Sequence, residues 1–331
     1  MNNTYNKIIE IINKYDNFVI TTHVNPDGDA IGSELALARL LKDLGKNVKI
    51  INHSATPDYL LFMLNYDKEI LQFNPEKHLK LISNANVIFT LDLNSLNRTK
   101  SLENYIREST AVKICIDHHE FPENFYSLSI IDTNSASTGE LIYYLIKKFN
   151  LKLTYNYALP IYVAIVTDTG SFKYERTTPE LHKIAAELLE AGVIPKEVHH
   201  NVYEQGSLNR IKLLGKTLNS LEVVGNNKIA YMVIRRKDLQ ETDSKEEDIE
   251  GFINYTLSIK DIEIGLLFFE LKNGFKTSLR SSSKIPVNKL AAEFGGGGHF
   301  FAAGLRMNNI NIDEGIKLII PKAKEYLKKY L

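Results

Sequence analysis

Short apolar runs alternate with amphipathic segments along the first half of the chain. Residues 17–21, 47–51, 85–92 and 111–117 are apolar runs of strand length. Between them, segments such as residues 30–41 repeat apolar residues at helical spacing. Strands that alternate with helices are typical of an α/β fold with an open parallel sheet and right-handed crossovers. We therefore predict an N-terminal domain built on a parallel sheet.

The second half has a different order of segments. Residues 158–166 are apolar throughout, and their pattern fits either a strand or a helix. Residues 228–234 predict a strand, and two further strand-like runs, 262–269 and 275–280, flank the hairpin signal Asn273–Gly274. The predicted organisation is a first domain, a helical linker and a smaller α/β domain, over residues 1–195, 196–225 and 226–331, respectively.

Side chains that can bind metal follow the predicted strands of the first domain. An imidazole and two carboxylates come after the first strand, and two later apolar runs each end in an aspartate. Ligands bind outside the carboxyl ends of the strands in open α/β sheets, so we expect these groups to meet. The candidates are His23, Asp27, Asp29, Asp92, His118 and, after the apolar run at 158–166, Asp168.

The stretch around Gly28 has a simpler interpretation as well. Pro-Asp-Gly is ordinary turn chemistry, and Asp27 is a good residue to cap the helix that follows. Gly28 is expected to let the backbone bend so that the two flanking aspartates point to different places. Further along, Ser137 or Thr138 is expected to cap another helix, with contact to a phosphate as the alternative.

The six candidates comprise four carboxylates and two imidazoles, a set that suits divalent cations. Two cations would balance the four negative charges, and water between them would lose a proton near neutral pH. Such a pair of metals is the usual arrangement for attack on a phosphate ester. The two histidines favour Mn²⁺, with Mg²⁺ as the alternative.

A glycine-rich segment marks the second domain. Four consecutive glycines, Gly295, Gly296, Gly297 and Gly298, precede His299. We expect such a run to have no role in a packed strand or helix, and to expose backbone N–H groups to an anion. The simpler alternative is a flexible loop. Arg280 ends the strand-like run at 275–280, and its planar guanidinium suits a phosphate.

Overall composition excludes several classes of protein. Forty basic and forty acidic residues cancel among 331, which gives no support for binding long duplex DNA or an anionic membrane. The single cysteine, Cys115, excludes an intramolecular disulfide and a cysteine-based zinc site. The N-terminal segment lacks a signal-peptide pattern, and no apolar run has membrane-spanning length. We therefore expect a cytoplasmic location.

Taken together, these motifs resemble the DHH phosphoesterase superfamily. The resemblance is carried by residues 25–29 (NPDGD), residues 117–119 (DHH) and residues 167–172 (TDTGSF). The glycine-rich segment with residues 302–304 (AAG) is similar to the DHH-associated substrate-binding domain, and the whole set is similar to the nanoRNase A subgroup. Members of that subgroup degrade very short RNA and dephosphorylate 3′-phosphoadenosine 5′-phosphate.

The resemblance also implies a role for each candidate. His23, Asp27 and Asp92 would hold one metal, and Asp92 would bridge to a second one. By the same resemblance, the other ligands of the second metal would be Asp29, His118 and Asp168. Asp117 would orient an imidazole, and His119 would face the substrate phosphate or leaving group. Arg98 would contact a phosphate. Arg280, Gly295, Gly296, Gly297, Gly298 and His299 would bind the other phosphate or the terminal nucleotide.

One pair of residues departs from the family pattern. Phe300 and Phe301 stand where more polar residues are expected. Stacking on a base and a local apolar contact are both compatible with the pair. The departure affects the expected substrate preference rather than the expected reaction.

The implied fold is a Rossmann-like DHH domain joined by a helical linker to a smaller α/β domain. The implied partners are short RNA and nucleotide bisphosphates; the oligomeric state stays open, a homodimer included. The main alternative is a phosphodiesterase for cyclic or linear dinucleotides such as pApA and pGpG. Less favoured enzymes are a RecJ-type exonuclease, which usually needs a longer chain, and an inorganic pyrophosphatase, which lacks the Gly-rich His loop. The alternative outside enzymes is an inactive nucleotide-binding module.

Overall fold

The chain divides between Gln205 and Gly206 into two units, each with its own hydrophobic core. The structure, a computed structural model, describes residues 2–282 and 284–331. The predicted linker, residues 196–225, spans this division. Val198 at its start is buried in the first core, and Leu213 is buried in a cluster of the second unit. The linker boundaries stay a prediction.

The first unit is built on a sheet whose strands all run parallel. Its strands are β1 (Asn17–Thr21), β2 (Asn47–Asn52), β3 (Ile70–Gln72), β4 (Val87–Leu91), β5 (Val112–Asp117) and β6 (Leu128–Ile131). Their spatial order is β3-β2-β1-β4-β5-β6. The strand order reverses between β1 and β4, which is the place where open α/β sheets bind ligands. The predicted parallel α/β domain is confirmed.

Helices cover both faces of this sheet. They are α1 (Asn2–Lys14), α2 (Gly28–Asp43), α3 (Pro75–Ser83), α4 (Glu103–Glu108), α5 (Thr138–Lys148), α6 (Tyr155–Asp168), α7 (Pro179–Glu190) and α8 (Pro195–Tyr203). Two 3₁₀ segments, Asp58–Met63 and Leu96–Leu102, lie in the connections. Among the described helices of the whole chain, none is long and apolar enough to cross a membrane.

Helix α6 resolves the ambiguous apolar run of the sequence. Its residues from 157 to 166 are all buried, so the run carries no amphipathic period that would distinguish a helix from a strand. Pro160 inside the helix has no N–H, which leaves the carbonyl of Asn156 without its helical donor. Arg39 of α2 donates from Nη1 to that carbonyl at 2.8 Å. The two helices are therefore joined where the proline interrupts one of them.

A glycine permits the close approach of α2 and α6. A Cβ atom on Gly32 would lie 2.2 Å from the backbone carbonyl oxygen of Pro160. The obstacle is backbone, so it cannot move aside as a flexible side chain would. Because both helices also carry residues of the candidate site, this contact sets the spacing on which the site depends.

We expect Gly32→Ala to lower the free energy of unfolding by about 2–3 kcal/mol, because overpacking costs more than the helix propensity of alanine returns. Denaturant unfolding followed by circular dichroism measures the change. Gly215→Ala is the control, since a Cβ there meets nothing within 4 Å; it should leave stability unchanged or raise it. Equal stability of Gly32→Ala and the parent protein would contradict the helix contact described here.

The second unit contains a mixed sheet. Its strands are β7 (Glu222–Val224), β8 (Ile229–Ile234), β9 (Ile264–Leu271), β10 (Gly274–Ser281), β11 (Gly297–Gly298) and β12 (Ala302–Met307). Their order is β11-β12-β10-β9-β8-β7, with β8 and β9 parallel and the other pairs antiparallel. The helices are α9 (Leu208–Asn219), α10 (Arg236–Thr242), α11 (Asn254–Leu257), α12 (Val287–Ala292) and α13 (Ile312–Tyr330), with a 3₁₀ segment at Glu246–Ile249.

One face of this sheet is covered over only part of its width. Over β8 and β9, the side chains of Met232 and Phe269 pack with Leu213 of α9. Over β10 and β12 the same face is open: alternate residues of β10 are half-buried, and Gly304 and Arg306 of β12 are exposed. Three cations stand on the open part, which also carries small residues: Lys276, Arg280 and Arg306, with Ser278, Ala302 and Gly304. We call this the open basic face.

The glycine run takes part in this sheet, which differs from the expectation that it has no role in a strand. Gly297 and Gly298 form β11 and pair with Gly304 and Ala303 of β12. A Cβ on Gly298 would lie 2.5 Å from the carbonyl oxygen of Ala302. Close approach of two backbones therefore explains part of the glycine requirement. Gly297 differs, because a Cβ there would meet nothing within 4 Å.

Candidate metal centre

The metal-capable side chains of the first unit meet at the reversal of strand order. His23 lies two residues beyond β1, Asp92 follows β4 directly, and His118 follows β5. The hydroxyl of Thr22 donates to the carbonyl of Leu91 at 2.8 Å and joins the ends of β1 and β4. The sheet topology thus brings together residues that are far apart in the sequence.

The segment after β1 places an imidazole and a carboxylate. Nδ1 of His23 is 2.9 Å from the carbonyl of Val24, a contact that leaves Nε2 for Asp92, 3.4 Å away. Oδ1 of Asp27 accepts the N–H groups of Asp29 and Ala30, each at 3.1 Å. Asp27 is therefore the helix cap that the sequence suggested, and it also groups with His23 and Asp92.

Gly28 has a different role from the one expected. Its φ is not in the left-handed region. A Cβ atom there would lie 2.4 Å from Cγ2 of Thr167. Gly28 is needed for space rather than for backbone freedom, since the start of α2 approaches the end of α6. That approach brings Asp29 and Asp168 to the same site.

Asp92 occupies the centre of the cluster. It has a φ of +57°, a left-handed conformation that aspartate tolerates better than most residues. Its Oδ1 accepts a hydrogen bond from the hydroxyl of Thr138 at 3.1 Å and lies 3.5 Å from Nε2 of His118. Its Oδ2 faces His23. Each oxygen of this one carboxylate therefore belongs to a different group of potential ligands.

Asp29 is fully buried in the first turn of α2 and is held by the start of another helix. The backbone N–H of Thr138 donates to Oδ2 at 2.7 Å, and that of Gly139 donates to Oδ1 at 2.9 Å. The hydroxyl of Ser33 adds a third bond at 3.1 Å. At the same helix start, Ser137 caps α5, as expected.

His118 contacts three of the carboxylates. Its Nε2 lies 3.2 Å from Asp168, 3.5 Å from Asp92 and 3.6 Å from Asp29. Its Nδ1 lies 3.3 Å from the carbonyl of Ser135. When Nδ1 donates its proton to that carbonyl, the lone pair of Nε2 is directed at the carboxylates, as a metal ligand requires.

Asp117 and His119 form a pair beside the cluster. Asp117 is fully buried, and its Oδ1 lies 2.7 Å from Nδ1 of His119. Burial opposes protonation of the imidazole, but the hydrogen bond to Asp117 and the charge of Asp92 raise the pKa of His119 above its usual value. The positive charge of Arg98 opposes that rise.

The charges of the cluster are unfavourable without a cation. Burial and the neighbouring carboxylates of Asp92 and Asp168 raise the pKa of Asp29 well above its usual value. Burial and Asp92 raise the pKa of Asp168 to about 6, although His118 opposes the rise. Asp92 behaves in the opposite way: despite its burial, hydrogen bonding to His23 and the neighbouring imidazoles hold its pKa well below the usual value.

This donor set fits divalent cations. Oxygen and imidazole nitrogen atoms lie within 4.8 Å of one another in three overlapping groups: His23, Asp27 and Asp92; Asp29, His118 and Asp168; and Asp92, His118 and His119. Cations placed among these carboxylates would remove the repulsion that raises the pKa values of Asp29 and Asp168.

The predicted substrate-binding residues of the second unit lie along one sheet edge. Arg280 is at the end of β10 and pairs in register with Ala302 of β12. Gly295 and Gly296 lead into β11, and His299 lies between β11 and β12. The predicted substrate residues are therefore neighbours within their own unit, and their roles stay predictions.

Some residues around the cluster were not predicted from the sequence. Thr138 and Gly139 act through backbone N–H groups, which leave no signature in residue type. Nη1 of Arg176 lies 3.1 Å from Nδ1 of His118, although Arg176 belongs to no motif. Glu34 is buried below the site and bonded to Asn52 at 2.7 Å, and burial raises its pKa to about 8. Of these residues, only Glu34 had a signal in the sequence: it is an acidic residue within the apolar helical segment that follows the Asp-Gly-Asp turn.

Comparison with known proteins gives two family matches. The family described as DHH family, N-terminal domain, matches residues 17–165, and the DHHA1 domain matches residues 226–329. Together the two matches take in the parallel sheet of the first unit and the mixed sheet of the second.

Individual proteins match almost the whole chain. A bifunctional oligoribonuclease and PAP phosphatase NrnA from Thermus thermophilus is 30% identical over 94% of this chain and 90% of its own length. The protein of the same name from Bacillus subtilis is 27% identical over 90% of this chain and 91% of its own length. The crystal structure of an exopolyphosphatase-related protein from Bacteroides fragilis has a TM-score of 0.92 and 34% identity, covering 100% of this chain and 97% of that one.

These matches extend over both units and agree with the motifs at residues 25–29 and 117–119. The likeness inferred from the sequence to the DHH phosphoesterases, and to their oligoribonuclease and PAP phosphatase members, is confirmed. The chain belongs to the DHH family of phosphoesterases and carries that family's DHHA1 domain.

Proposed function

We propose that this chain is a two-metal phosphoesterase that hydrolyses very short RNA and removes the 3′ phosphate of 3′-phosphoadenosine 5′-phosphate to give AMP. The observation that carries the proposal is the buried cluster in which Asp92 faces His23 with one oxygen and His118 with the other. The similarity to the oligoribonucleases and PAP phosphatases of Thermus thermophilus and Bacillus subtilis supports the substrate class.

The proposed ligands divide into two sets that share one carboxylate. His23, Asp27 and Asp92 would hold one Mn²⁺ or Mg²⁺ ion. Asp92 would bridge to a second ion, whose other ligands would be Asp29, His118 and Asp168. When bound, two such cations neutralise charge that develops on the phosphoryl oxygens and make a water molecule more acidic.

His119, oriented by Asp117, would donate a proton to the leaving oxygen of the substrate. Asp117 engages Nδ1 of His119, so Nε2 is the nitrogen that would exchange a proton with the substrate. The pKa of His119 is raised, which favours the protonated form that a donor needs. Asp117 would thus hold the orientation of His119 and favour its protonated form.

The open basic face of the second unit supports a short anionic substrate. Lys276 and Arg280 are four residues apart on β10, which corresponds to about 14 Å of strand. Arg306 lies opposite Lys276 on β12, so positive charge is present toward both ends of this stretch. The glycine segment and His299 lie beside Arg280 and would complete the contacts to a terminal nucleotide.

A substrate panel tests the proposed function. The purified protein is incubated with Mn²⁺ or with EDTA, together with RNA of two to five nucleotides, a long RNA, 3′-phosphoadenosine 5′-phosphate, pApA, pGpG and cyclic di-AMP. We expect Mn²⁺-dependent hydrolysis of the short RNA and the bisphosphate and poor hydrolysis of the long RNA. Preference for a cyclic dinucleotide would replace the proposed substrate class, and hydrolysis of none would support the inactive binding module.

We expect Arg280→Ala to raise KM for short RNA by about 10- to 100-fold while leaving Mn²⁺ affinity unchanged, because a guanidinium–phosphate contact is lost and the metal ligands are intact. Steady-state kinetics and a Mn²⁺ titration measure the two quantities. Arg236→Ala, at an exposed arginine of the same unit, is the control and should leave KM unchanged. An equal loss of substrate and metal affinity would show that Arg280 has another role.

A further inference from the structure

Two aromatic side chains are exposed at the tip of a tight turn in the second unit. Phe300 and Phe301 connect β11 to β12, and their side chains are 43% and 48% exposed. His299 and Ala302 exchange both backbone hydrogen bonds, at 2.7 and 3.2 Å, so the two phenylalanines are the whole loop of a two-residue hairpin. Glycine, asparagine and aspartate are the usual residues of such loops, so local turn chemistry does not explain these two.

The backbone of the turn is held on two sides. The carbonyl of Phe300 accepts the N–H of Val287 at 3.0 Å, and the carbonyl of Phe301 accepts the N–H of Ser281 at 3.0 Å. The turn is therefore attached to the start of α12 and to the end of β10. Because the backbone is fixed in this way, the exposure of the rings follows from the fold. Exposing this apolar ring surface to water is unfavourable in free energy.

The arrangement of the two rings leaves aromatic faces available. Their centroids are 4.9 Å apart and their planes are inclined at 68°, so the edge of one ring meets the face of the other. A pair in this arrangement covers fewer of its own faces than a stacked pair does. A flat aromatic ligand can therefore lie on a ring without displacing the other one.

The surroundings of the turn select an anionic aromatic ligand. Arg280 pairs in register with Ala302, the residue directly after the turn. His299 directly precedes the turn, and the open basic face continues beyond Arg280. An arginine paired with the residue that follows two exposed rings matches a nucleotide, in which a phosphate and a flat base are joined by one sugar.

We propose that Phe300 and Phe301 form a stacking platform for the base of the nucleotide whose phosphate is bound by Arg280. This proposal rests on the proposed function and deepens it, since it assigns base-dependent affinity to two residues outside the metal cluster. Stacking does not distinguish one base from another strongly, because every base has an aromatic face. The platform would therefore bind short RNA of any sequence and the adenine of a nucleotide bisphosphate alike.

A binding cycle tests the platform without requiring hydrolysis. In EDTA, calorimetry measures the affinity of the full-length protein for pApA and for two analogues, each lacking one of the two bases. Phe300→Leu and Phe301→Leu keep an apolar side chain but remove the ring. We expect at least one of these variants to bind pApA about tenfold more weakly than the parent protein does. The same variant should bind the analogue that lacks the stacked base with the affinity of the parent protein.

Tyr255→Leu is the matched control, because Tyr255 is 45% exposed in the same unit and lies on α11. It should leave the affinity for pApA unchanged. With Mn²⁺, the phenylalanine variants should raise KM for short RNA and leave kcat unchanged, because the proposed metal ligands lie in the other unit.

Three results would overturn the platform: equal affinity of parent and variants for pApA, equal loss for pApA and for both analogues, or no base-dependent affinity in the parent protein. A change in oligomeric mass with unchanged pApA affinity would assign the rings to an interface between copies, and would also overturn it. Base-dependent binding without any Mn²⁺-dependent hydrolysis would contradict the proposed function and leave the platform supported.

Discussion

Asp92→Asn is expected to lower kcat for short RNA by about a thousandfold or more, which corresponds to about 4 kcal/mol of transition-state free energy. The reason is geometric. Oδ1 of Asp92 lies beside His118 and Oδ2 beside His23, so one substitution removes a charge from both proposed ligand sets. Hydrolysis rates in saturating Mn²⁺ and the metal content of the purified variant are the two measurements.

Asp132→Asn is the control for this substitution. Asp132 follows β6 in the same unit, and its Oδ1 accepts the backbone N–H of Asn134 at 3.1 Å. An asparagine keeps that acceptor, and Asp132 belongs to none of the three groups of potential ligands. The control should have parental activity. Activity of Asp92→Asn within tenfold of the parent, or unchanged metal content, would contradict the bridging role.

Removal of metal is expected to lower the melting temperature of the first unit by roughly 8–16 °C at pH 7.5. An ion at a thousandfold excess over its Kd stabilises the folded state by about 4 kcal/mol. For a unit of this size, each kcal/mol corresponds to about 2–4 °C. Differential scanning calorimetry in Mn²⁺ and in EDTA measures the difference.

The direction of the pH dependence follows from the metal-free cluster. The pKa values of Asp29 and Asp168 are raised mainly by burial, and Asp92 raises that of His23 although burial opposes it. Raised folded pKa values give stability that is complete below the unfolded values and is lost as pH rises through the folded ones. The lowered pKa of Asp92 acts only in more acidic solution.

The melting temperature in EDTA should therefore fall between pH 5 and pH 7.5, while bound Mn²⁺ opposes that fall. The gap between the Mn²⁺ and EDTA samples should be wider at pH 7.5 than at pH 5. In Asp92→Asn the gap should nearly disappear. If the melting temperatures in Mn²⁺ and EDTA were equal at pH 7.5, or differed more at pH 5 than at pH 7.5, the carboxylates would not share a bound cation.

The central strands could be predicted from the sequence because burial gives them a continuous apolar run. Residues 17–21 and 111–117 are such runs: the first coincides with β1, and the second begins one residue before β5 and ends with it. The edge strands β3 and β6 are three and four residues long and only partly buried, so no run marks them. Helix α6 was ambiguous for the opposite reason, since it is buried nearly all round.

The metal-capable residues could be found because their chemistry is visible in residue type and their position at strand ends follows from topology. The groups that surround these residues could not be found from the sequence. Thr138 binds Asp29 through a backbone N–H, and any residue at that position has one. Likewise, the run at Gly295–Gly298 suggested an anion cradle, whereas Gly298 is required by the approach of the neighbouring strand. Contacts made by backbone atoms leave no trace in composition.

Two of the carboxylates are anchored by backbone N–H groups at helix starts. Asp27 is bonded to the first turn of α2, and Asp29 is bonded to the first turn of α5. The positions of these oxygen atoms are therefore set by the helices themselves rather than by side-chain rotamers. A cage with fixed walls discriminates between ions by radius, because it cannot shrink around a small ion or expand for a large one. With cations bound as proposed, the choice of ion would therefore depend on the packing of these helices as well as on the proposed ligands.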